Sequence, residues 1–180
     1  MGPCPPFGER NESSIPITYP LERISKLYGD GIALVESNPE MQETQRGTWK
    51  EYELIQPTST APYRREITWS VFDEKANRVA NMLLGCGIRK GQKVAILLMN
   101  CLEWLPIYFG ILKAGAVAVP LNFRYTADEI EYCVKLAEAD VLFFGPDFIG
   151  RVEDVVPSIG AARLRLFVDD PSPPFAGAYP

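Results

Sequence analysis

Two hydrophobic patterns alternate along the chain from residue 67 onward, one with the spacing of amphipathic helices and one of short continuous apolar runs. The runs have the length and composition of parallel strands that are covered on both faces. They lie at 94–98, 116–119, 141–144 and 164–168. Such an alternation predicts an α/β fold with a mostly parallel sheet, alternating helices and right-handed crossovers.

The first third of the chain carries a weaker pattern. Apolar residues that share one helical face predict a helix over 21–28, and a short strand is expected at 32–35, which brings the expected number of strands to about five. Residues 36–64 are polar and irregular, and we expect a hairpin around 49–55.

The two ends of the chain are rich in Pro, and we expect loop-like segments there. Residues 1–20 are interpreted as a flexible N-terminal segment and residues 171–180 as a Pro-rich tail, which leaves 21–170 as one α/β domain. The N-terminus lacks the basic start and apolar core of a signal peptide, and no apolar run reaches the roughly 18–20 residues of a membrane span. These features predict a cytoplasmic location.

Three sites have the pattern of helix N-termini. Thr68 precedes a helical stripe, and Thr126 with Glu129 forms a T-x-x-E capping box. Asn100 is expected to cap a further helix, with the Glu103 carboxylate reaching back towards the exposed amides of its first turn. The three sites place a helix before the first run of the parallel sheet and helices between later runs.

Composition excludes several classes of function. A formal net charge of −5 and a pI near 4.9 leave no basic surface for nucleic acid. The absence of histidine excludes Ser-His-Asp and Cys-His nucleophiles within this chain, as well as histidine metal sites. The four cysteines are too scattered for a zinc site or a redox dithiol. These cysteines are Cys4, Cys86, Cys101 and Cys133. We expect no catalytic residue and no metal ligand in this chain.

Two segments are candidates for ligand binding. The glycines of GCGIRKG at 85–91 follow a helix and precede a strand, whereas a dinucleotide fingerprint needs the reverse order, so we interpret them as helix-ending residues. The loop 121–125 is the better candidate. Pro120 ends the preceding strand, and open parallel sheets bind ligands at the carboxyl ends of their strands.

Three stretches resemble the adenylate-forming family, which contains acyl-CoA synthetases, peptide-synthetase adenylation domains and firefly luciferase. ITWSVFDEKANRVANML at 67–83 resembles the first core motif, and the segment at 107–132 resembles the second. GIRKGQKVAILLMNCLEW at 87–104 resembles the linking stretch, and the resemblance covers roughly 20–170. Within the family, LKAGAVAVPLN at 112–122 is most similar to the corresponding stretch of the acyl-CoA synthetases.

The resemblance implies the N-terminal subdomain of an acyl-CoA synthetase fold, truncated before the family's chemistry. In such a ligase a carboxylic acid and ATP, with magnesium, give an acyl-adenylate that coenzyme A converts to a thioester. The 180 residues contain none of the family's phosphate loop, adenine and magnesium segment, ribose aspartate, hinge or catalytic lysine. We therefore expect the chain alone to be inactive and to bind no cofactor, with the remainder of the parent synthetase as its partner.

Family likeness also implies a possible coenzyme A entrance at Asn122, Phe123, Arg124 and Tyr125, with Arg151 nearby. An arginine can bind a phosphate through two parallel hydrogen bonds, and aromatic rings can line a pantetheine path. The alternative is that these residues pack against the rest of the enzyme. Two other functions stay open: a flavodoxin-like small-ligand or nucleotide-binding module without catalysis, and a protein-interaction domain. Sheet edges and apolar helix faces that would meet the rest of the enzyme are uncovered in the chain alone, and we therefore expect the chain to self-associate.

Overall fold

The computed structural model describes residues 16–44, 57–160, 162 and 164–168. The hairpin expected around 49–55, like most of both terminal segments, lies outside these residues. In chain order the elements are α1 (Tyr19–Tyr28), β1 (Ile32–Thr44), β2 (Pro57–Thr68), α2 (Trp69–Gly85), β3 (Lys93–Leu97), α3 (Trp104–Lys113), β4 (Val117–Pro120), α4 (Ala127–Ala137), β5 (Val141–Phe144), a 3₁₀ turn (Pro146–Phe148), α5 (Ile149–Val155) and β6 (Leu164–Phe167).

Four strands form the predicted parallel sheet, in the order β4-β3-β5-β6. All four predicted apolar runs lie in it. The fifth expected strand, at 32–35, is not part of this sheet, because β1 pairs antiparallel with β2 in a separate ribbon. Ile32 lies opposite Thr68, and the Trp69 amide donates to the Gly31 carbonyl at 3.0 Å, so the ribbon leads directly into α2.

Helices cover both faces of the parallel sheet. Alternate residues of each central strand point to opposite faces, so β3 supplies Val94 and Ile96 to one apolar cluster and Ala95 and Leu97 to another. The first cluster includes side chains of α2 and α3, and the second includes side chains of α4 and α5. This three-layer arrangement confirms the predicted α/β class, and it explains why the strands read as continuous apolar runs.

A glycine sets the distance between α2 and α3. A Cβ atom on Gly110 would lie 2.6 Å from Val79 Cβ and 2.8 Å from the Ala76 carbonyl oxygen. The two helices therefore touch along their backbones here. Gly87 and Gly91, with φ of +82° and +85°, turn the chain from α2 into β3, as the helix-ending interpretation predicted.

Two of the three predicted helix starts are confirmed. The Val71 amide donates to Thr68 Oγ1, and the Thr126–Glu129 capping box forms in both directions. The prediction for Asn100 is wrong, because α3 begins at Trp104 and the preceding Leu102 amide donates to Glu36 Oε2 at 3.0 Å. A carboxylate from β1 therefore occupies the position expected for a local cap.

Within the described ranges, no helix has the length and apolar character needed to cross a lipid bilayer.

Candidate functional site

The carboxyl ends of the four parallel strands form one edge of the sheet. The chain leaves β3 for β4 on one side and then returns to β5 on the other side of β3. This reversal of direction is the position at which open α/β sheets commonly bind ligands. The loops 98–103, 121–126 and 145–148 follow β3, β4 and β5 at this edge.

Backbone and apolar contacts fill the space where β3 and β5 end. The Gly145 amide donates to the Leu97 carbonyl at 3.2 Å, and a Cβ on Gly145 would lie 3.1 Å from Leu98 Cδ2. Leu98 itself is buried. The polar groups of this edge lie instead on the loop after β4.

Asn122 folds the loop after β4 into a tight turn. The Arg124 amide donates to Asn122 Oδ1 at 2.9 Å, and the Tyr125 amide donates to the Asn122 carbonyl at 3.0 Å. Asparagine favours this turn because its side-chain oxygen can accept from the backbone two residues on. The Leu121 amide, which donates to the Ile96 carbonyl at 2.8 Å, anchors the start of the turn to β3.

Arg151, from α5, joins this turn to the segment after β5. Its Nη1 donates to the Tyr125 carbonyl at 2.7 Å and to the Phe123 carbonyl at 3.1 Å, and its Nη2 lies 3.4 Å from the Asp147 carbonyl. The guanidinium also lies 4.8 Å from the centre of the Phe148 ring. Burial lowers the pKa of Arg151, and the nearby Asp147 carboxylate offsets part of this effect.

Phe123 and Arg124 carry the exposed aromatic and charged side chains of the turn. The Phe123 side chain is 40% exposed, and the Arg124 guanidinium lies 5.4 Å from the centre of its ring. Among the described residues, Arg124 has no ion-pair partner. An aromatic face and an unpaired cation thus lie side by side at the surface, a combination suited to a ligand that carries both a phosphate and an organic group.

Tyr125 faces the other way, towards α4. The neighbouring Cys133 thiol raises the pKa of the Tyr125 hydroxyl, and partial burial, a hydrogen bond to Cys133 and the Glu129 carboxylate add to this effect. The Tyr125 side chain thus holds the turn against α4. Among the sequence-predicted site residues, the exposed aromatic and charged side chains are those of Phe123 and Arg124.

The N-terminus of α4 is closed to an anionic ligand. The Thr126 amide donates to Glu129 Oε2 at 2.8 Å and the Glu129 amide donates to Thr126 Oγ1 at 3.4 Å, while Asp128 adds a further negative charge to the first turn. These carboxylates neutralise the positive end of the helix dipole. Arg124 is therefore the group of this turn that favours a phosphate.

Sequence reasoning missed a charged cluster at the loop after β3. Arg65 Nη2 donates to Glu103 Oε1 at 3.0 Å, and Arg65 Nη1 lies 3.9 Å from Glu36 Oε2, which accepts from the Leu102 amide. The Glu103 side chain therefore meets the ribbon instead of capping its own helix. These partners lie far apart in sequence, so no local motif indicates the cluster.

Cys101 lies beside this cluster and is a poor nucleophile. Burial, together with the negative charges of Glu103 and Glu36, raises the pKa of its thiol to about 11. The thiolate is the reactive form, and it is scarce at neutral pH.

A shallow surface depression of about 600 Å³ lies on the outer face of α4. Every residue that lines it belongs to this one helix, so no groups converge from other elements, and we do not assign the site there. Within residues 16–44, 57–160, 162 and 164–168, no cluster of three His, Cys, Asp or Glu side chains is arranged to hold a metal ion.

Comparison with known proteins identifies the class to which this fold and edge belong. The family model described as "AMP-binding enzyme" matches residues 47–178, which is more than half of the chain. The chain therefore belongs to the AMP-binding enzyme family, as the sequence motifs predicted.

Curated relatives of this chain include CoA ligases. The medium/long-chain-fatty-acid–CoA/3-oxocholest-4-en-26-oate–CoA ligase of Mycobacterium marinum is 34% identical over 107 residues, which cover 59% of this chain and 20% of the relative. The crotonobetaine/carnitine–CoA ligase of Proteus mirabilis is 37% identical over 104 residues, 58% of this chain and 20% of the relative. The chain thus spans about a fifth of the length of these curated relatives.

A solved structure shares most of the fold. The anthranilate CoA ligase AuaEII, crystallised with anthranoyl-AMP, matches 91% of this chain and 26% of its own chain, with a TM-score of 0.70 and 25% sequence identity. The match includes most of the described chain, so the sheet, its helices and the candidate site belong to a fold already seen in a CoA ligase.

Proposed function

We propose that the chain is the N-terminal part of an ATP-dependent acyl-CoA synthetase. The reaction would join a carboxylic acid to coenzyme A through an acyl-adenylate, with release of AMP and pyrophosphate. The family match and the CoA-ligase relatives support this proposal. The anthranoyl-AMP in the similar structure is itself an acyl-adenylate, in keeping with such a two-step reaction.

The part of this chain in the reaction would be to provide a scaffold. Its 180 residues contain no Ser/Thr/Gly-rich loop that ends in lysine, and so no backbone cradle for the ATP phosphates. ATP and magnesium would bind to other segments of the parent enzyme. We therefore expect residues 21–170 to fold as one domain that does not form an adenylate alone.

Coenzyme A would approach along the turn after β4. The observation that carries this assignment is the exposed Phe123–Arg124 pair at the carboxyl edge of the sheet, held by Asn122 and Arg151. The Arg124 guanidinium would contact a phosphate group, and the Phe123 ring would lie against the pantetheine arm.

The ligase assignment is tested by carboxylate-dependent ATP–pyrophosphate exchange. We expect no exchange from the purified 180-residue chain with any acid of a broad panel, and exchange from the polypeptide that joins it to the ATP-binding and C-terminal segments of its enzyme. Exchange by the chain alone would show that its own side chains handle ATP. An inactive joined polypeptide that is folded would contradict the ligase assignment.

The coenzyme A assignment is tested on the active polypeptide with Arg124→Gln. We expect the KM for coenzyme A to rise about tenfold or more, as for loss of one charged phosphate contact, with adenylate formation unchanged. Arg78→Gln is the matched control, because Arg78 is exposed and, among the residues that the structure describes, pairs with Glu74 on its own helix. An unchanged KM in Arg124→Gln would exclude this contact.

The flavodoxin-like binding module is not favoured, because the relatives with which the chain shares its sequence are ligases. As part of the same proposal we place the enzyme in the cytoplasm. We also expect the isolated chain to self-associate through exposed apolar side chains such as Tyr132 and Leu136, which are 65% and 70% exposed. Light scattering across a wide concentration range measures this directly.

A further inference from the structure

We infer that Arg151 is a positioning residue, which fixes the backbone of Phe123–Tyr125 and so sets the direction of the exposed Phe123 and Arg124 side chains. The purpose assigned to this turn, access for coenzyme A, rests on the proposed function. The positioning itself rests on the contacts of Arg151 and is open to a separate test.

The position of Arg151 in the fold gives it this capacity. The turn follows β4 and Arg151 lies on the helix after β5, and these two strands flank β3 in the sheet. Its guanidinium therefore links the segments that follow these two strands. The Phe123 and Tyr125 carbonyls lie beyond the end of the β4 ladder, and Arg151 supplies their hydrogen bonds.

The geometry of the contacts favours arginine over any other cation. One planar group reaches carbonyls of two segments while it lies over the Phe148 ring, and it remains charged despite partial burial. A lysine at this position would keep the charge but not the fixed fork of donors. Two carbonyls bond to Nη1 and a third lies near Nη2, so three of the five N–H donors of Arg151 face the main chain, whereas the Arg124 side chain is exposed at the surface.

Hydrogen exchange of the 180-residue chain tests the positioning. The Arg124 and Tyr125 amides are both bonded to Asn122, so they report whether the turn is closed. We expect Arg151→Ala to raise their exchange rates about tenfold or more, as for the loss of a hydrogen bond to a charged group. Arg151→Lys should restore part of the protection, and Arg78→Ala should leave the rates unchanged.

Two controls separate positioning from general loss of stability. Amides of β5, such as that of Leu142, lie in the core of the sheet and should exchange at wild-type rates in Arg151→Ala. Unchanged rates at Arg124 and Tyr125 would overturn the inference. So would a uniform rise that includes Leu142, because Arg151 would then stabilise the whole domain and not the turn.

The KM for coenzyme A of the joined, active polypeptide separates this inference from the proposed function. Arg151→Ala should raise this KM, as Arg124→Gln does, while adenylate formation stays unchanged. If neither variant changes the KM while Arg151→Ala still raises the exchange rates of the turn, the coenzyme A path is wrong and the positioning role holds. If Arg151→Ala leaves both the KM and the exchange rates unchanged, the positioning role is wrong.

Discussion

Gly110 offers a sharp test of the packing between α2 and α3. Replacing it with alanine would place a Cβ 2.6 Å from Val79 Cβ and 2.8 Å from the Ala76 carbonyl oxygen. Carbon atoms in contact normally lie about 3.5–4.0 Å apart, so one helix must move by about 1 Å. The obstacle includes backbone, which no change of rotamer can remove.

Two opposing effects set the size of the change. Overpacking of a core typically lowers the free energy of unfolding by about 1–3 kcal/mol. Alanine in place of glycine within a helix returns about 1 kcal/mol. Because the contact is with backbone, we expect a net loss of about 1–2 kcal/mol for Gly110→Ala.

Equilibrium unfolding in urea, followed by tryptophan fluorescence, measures this loss. With a slope of about 1–3 kcal/mol per molar urea, the midpoint should fall by roughly 0.3–2 M. Gly85→Ala is the matched control, because Gly85 ends α2 and a Cβ there would meet no atom within 4 Å. It should raise the midpoint slightly. Equal midpoints for Gly110→Ala and the wild type would refute the close helix contact.

Three further changes test other parts of the structure. Thr126→Ala removes the side-chain cap of α4 and should lower the free energy of unfolding by about 1 kcal/mol, measured in urea. Lys113→Met should lower it by about 3 kcal/mol. Lys113 Nζ, on a side chain only 8% exposed, lies 2.7 Å from Asp73 Oδ1, and its loss leaves that carboxylate with the Asn77 amide but without its cation. At pH 8, iodoacetamide should modify the exposed Cys86 long before Cys101, whose pKa is about 11; mass spectrometry of digested samples gives the order.

The same thiol predicts a pH dependence of stability. Between about pH 9 and about pH 11 the unfolded chain has released the Cys101 proton while the folded chain retains it, so stability should fall as the pH rises through this range. A Cys101→Ala variant should lack this contribution. Equal alkylation rates for Cys86 and Cys101 would contradict the burial of the Cys101 thiol. An unchanged free energy of unfolding in Lys113→Met would show that the Asp73 carboxylate is solvated.

Local sequence was sufficient to predict the parallel sheet. Strands buried on both faces must be apolar throughout, and the T-x-x-E box at Thr126 acts within one turn of helix, so both are visible in a short window. The ribbon was not predictable in this way, because Ile32 finds its partner Thr68 only after the chain has folded back. Asn100 failed as a cap for the same reason: Glu36 reaches the Leu102 amide from a distant strand.

Sequence reasoning reached the candidate site in part. Pro120 and the end of a buried strand indicated a loop at the sheet edge, and the exposed Phe123 and Arg124 lie there as expected. The contacts of Arg151 with main-chain carbonyls had no trace in the sequence, because a carbonyl acceptor is the same at every residue. These contacts form because the fold places α5 beside the turn after β4.

The distribution of the apolar clusters implies that α1 and the ribbon open locally before the sheet unfolds in its cooperative transition. The two large clusters share β3 and β5, so neither can open without breaking the sheet. The small cluster of Leu21, Phe72 and Ala76 contains no residue of the parallel strands and holds α1 and the base of the ribbon. On gentle heating, α1 and the ribbon should therefore detach together while the sheet remains intact, leaving a smaller folded particle.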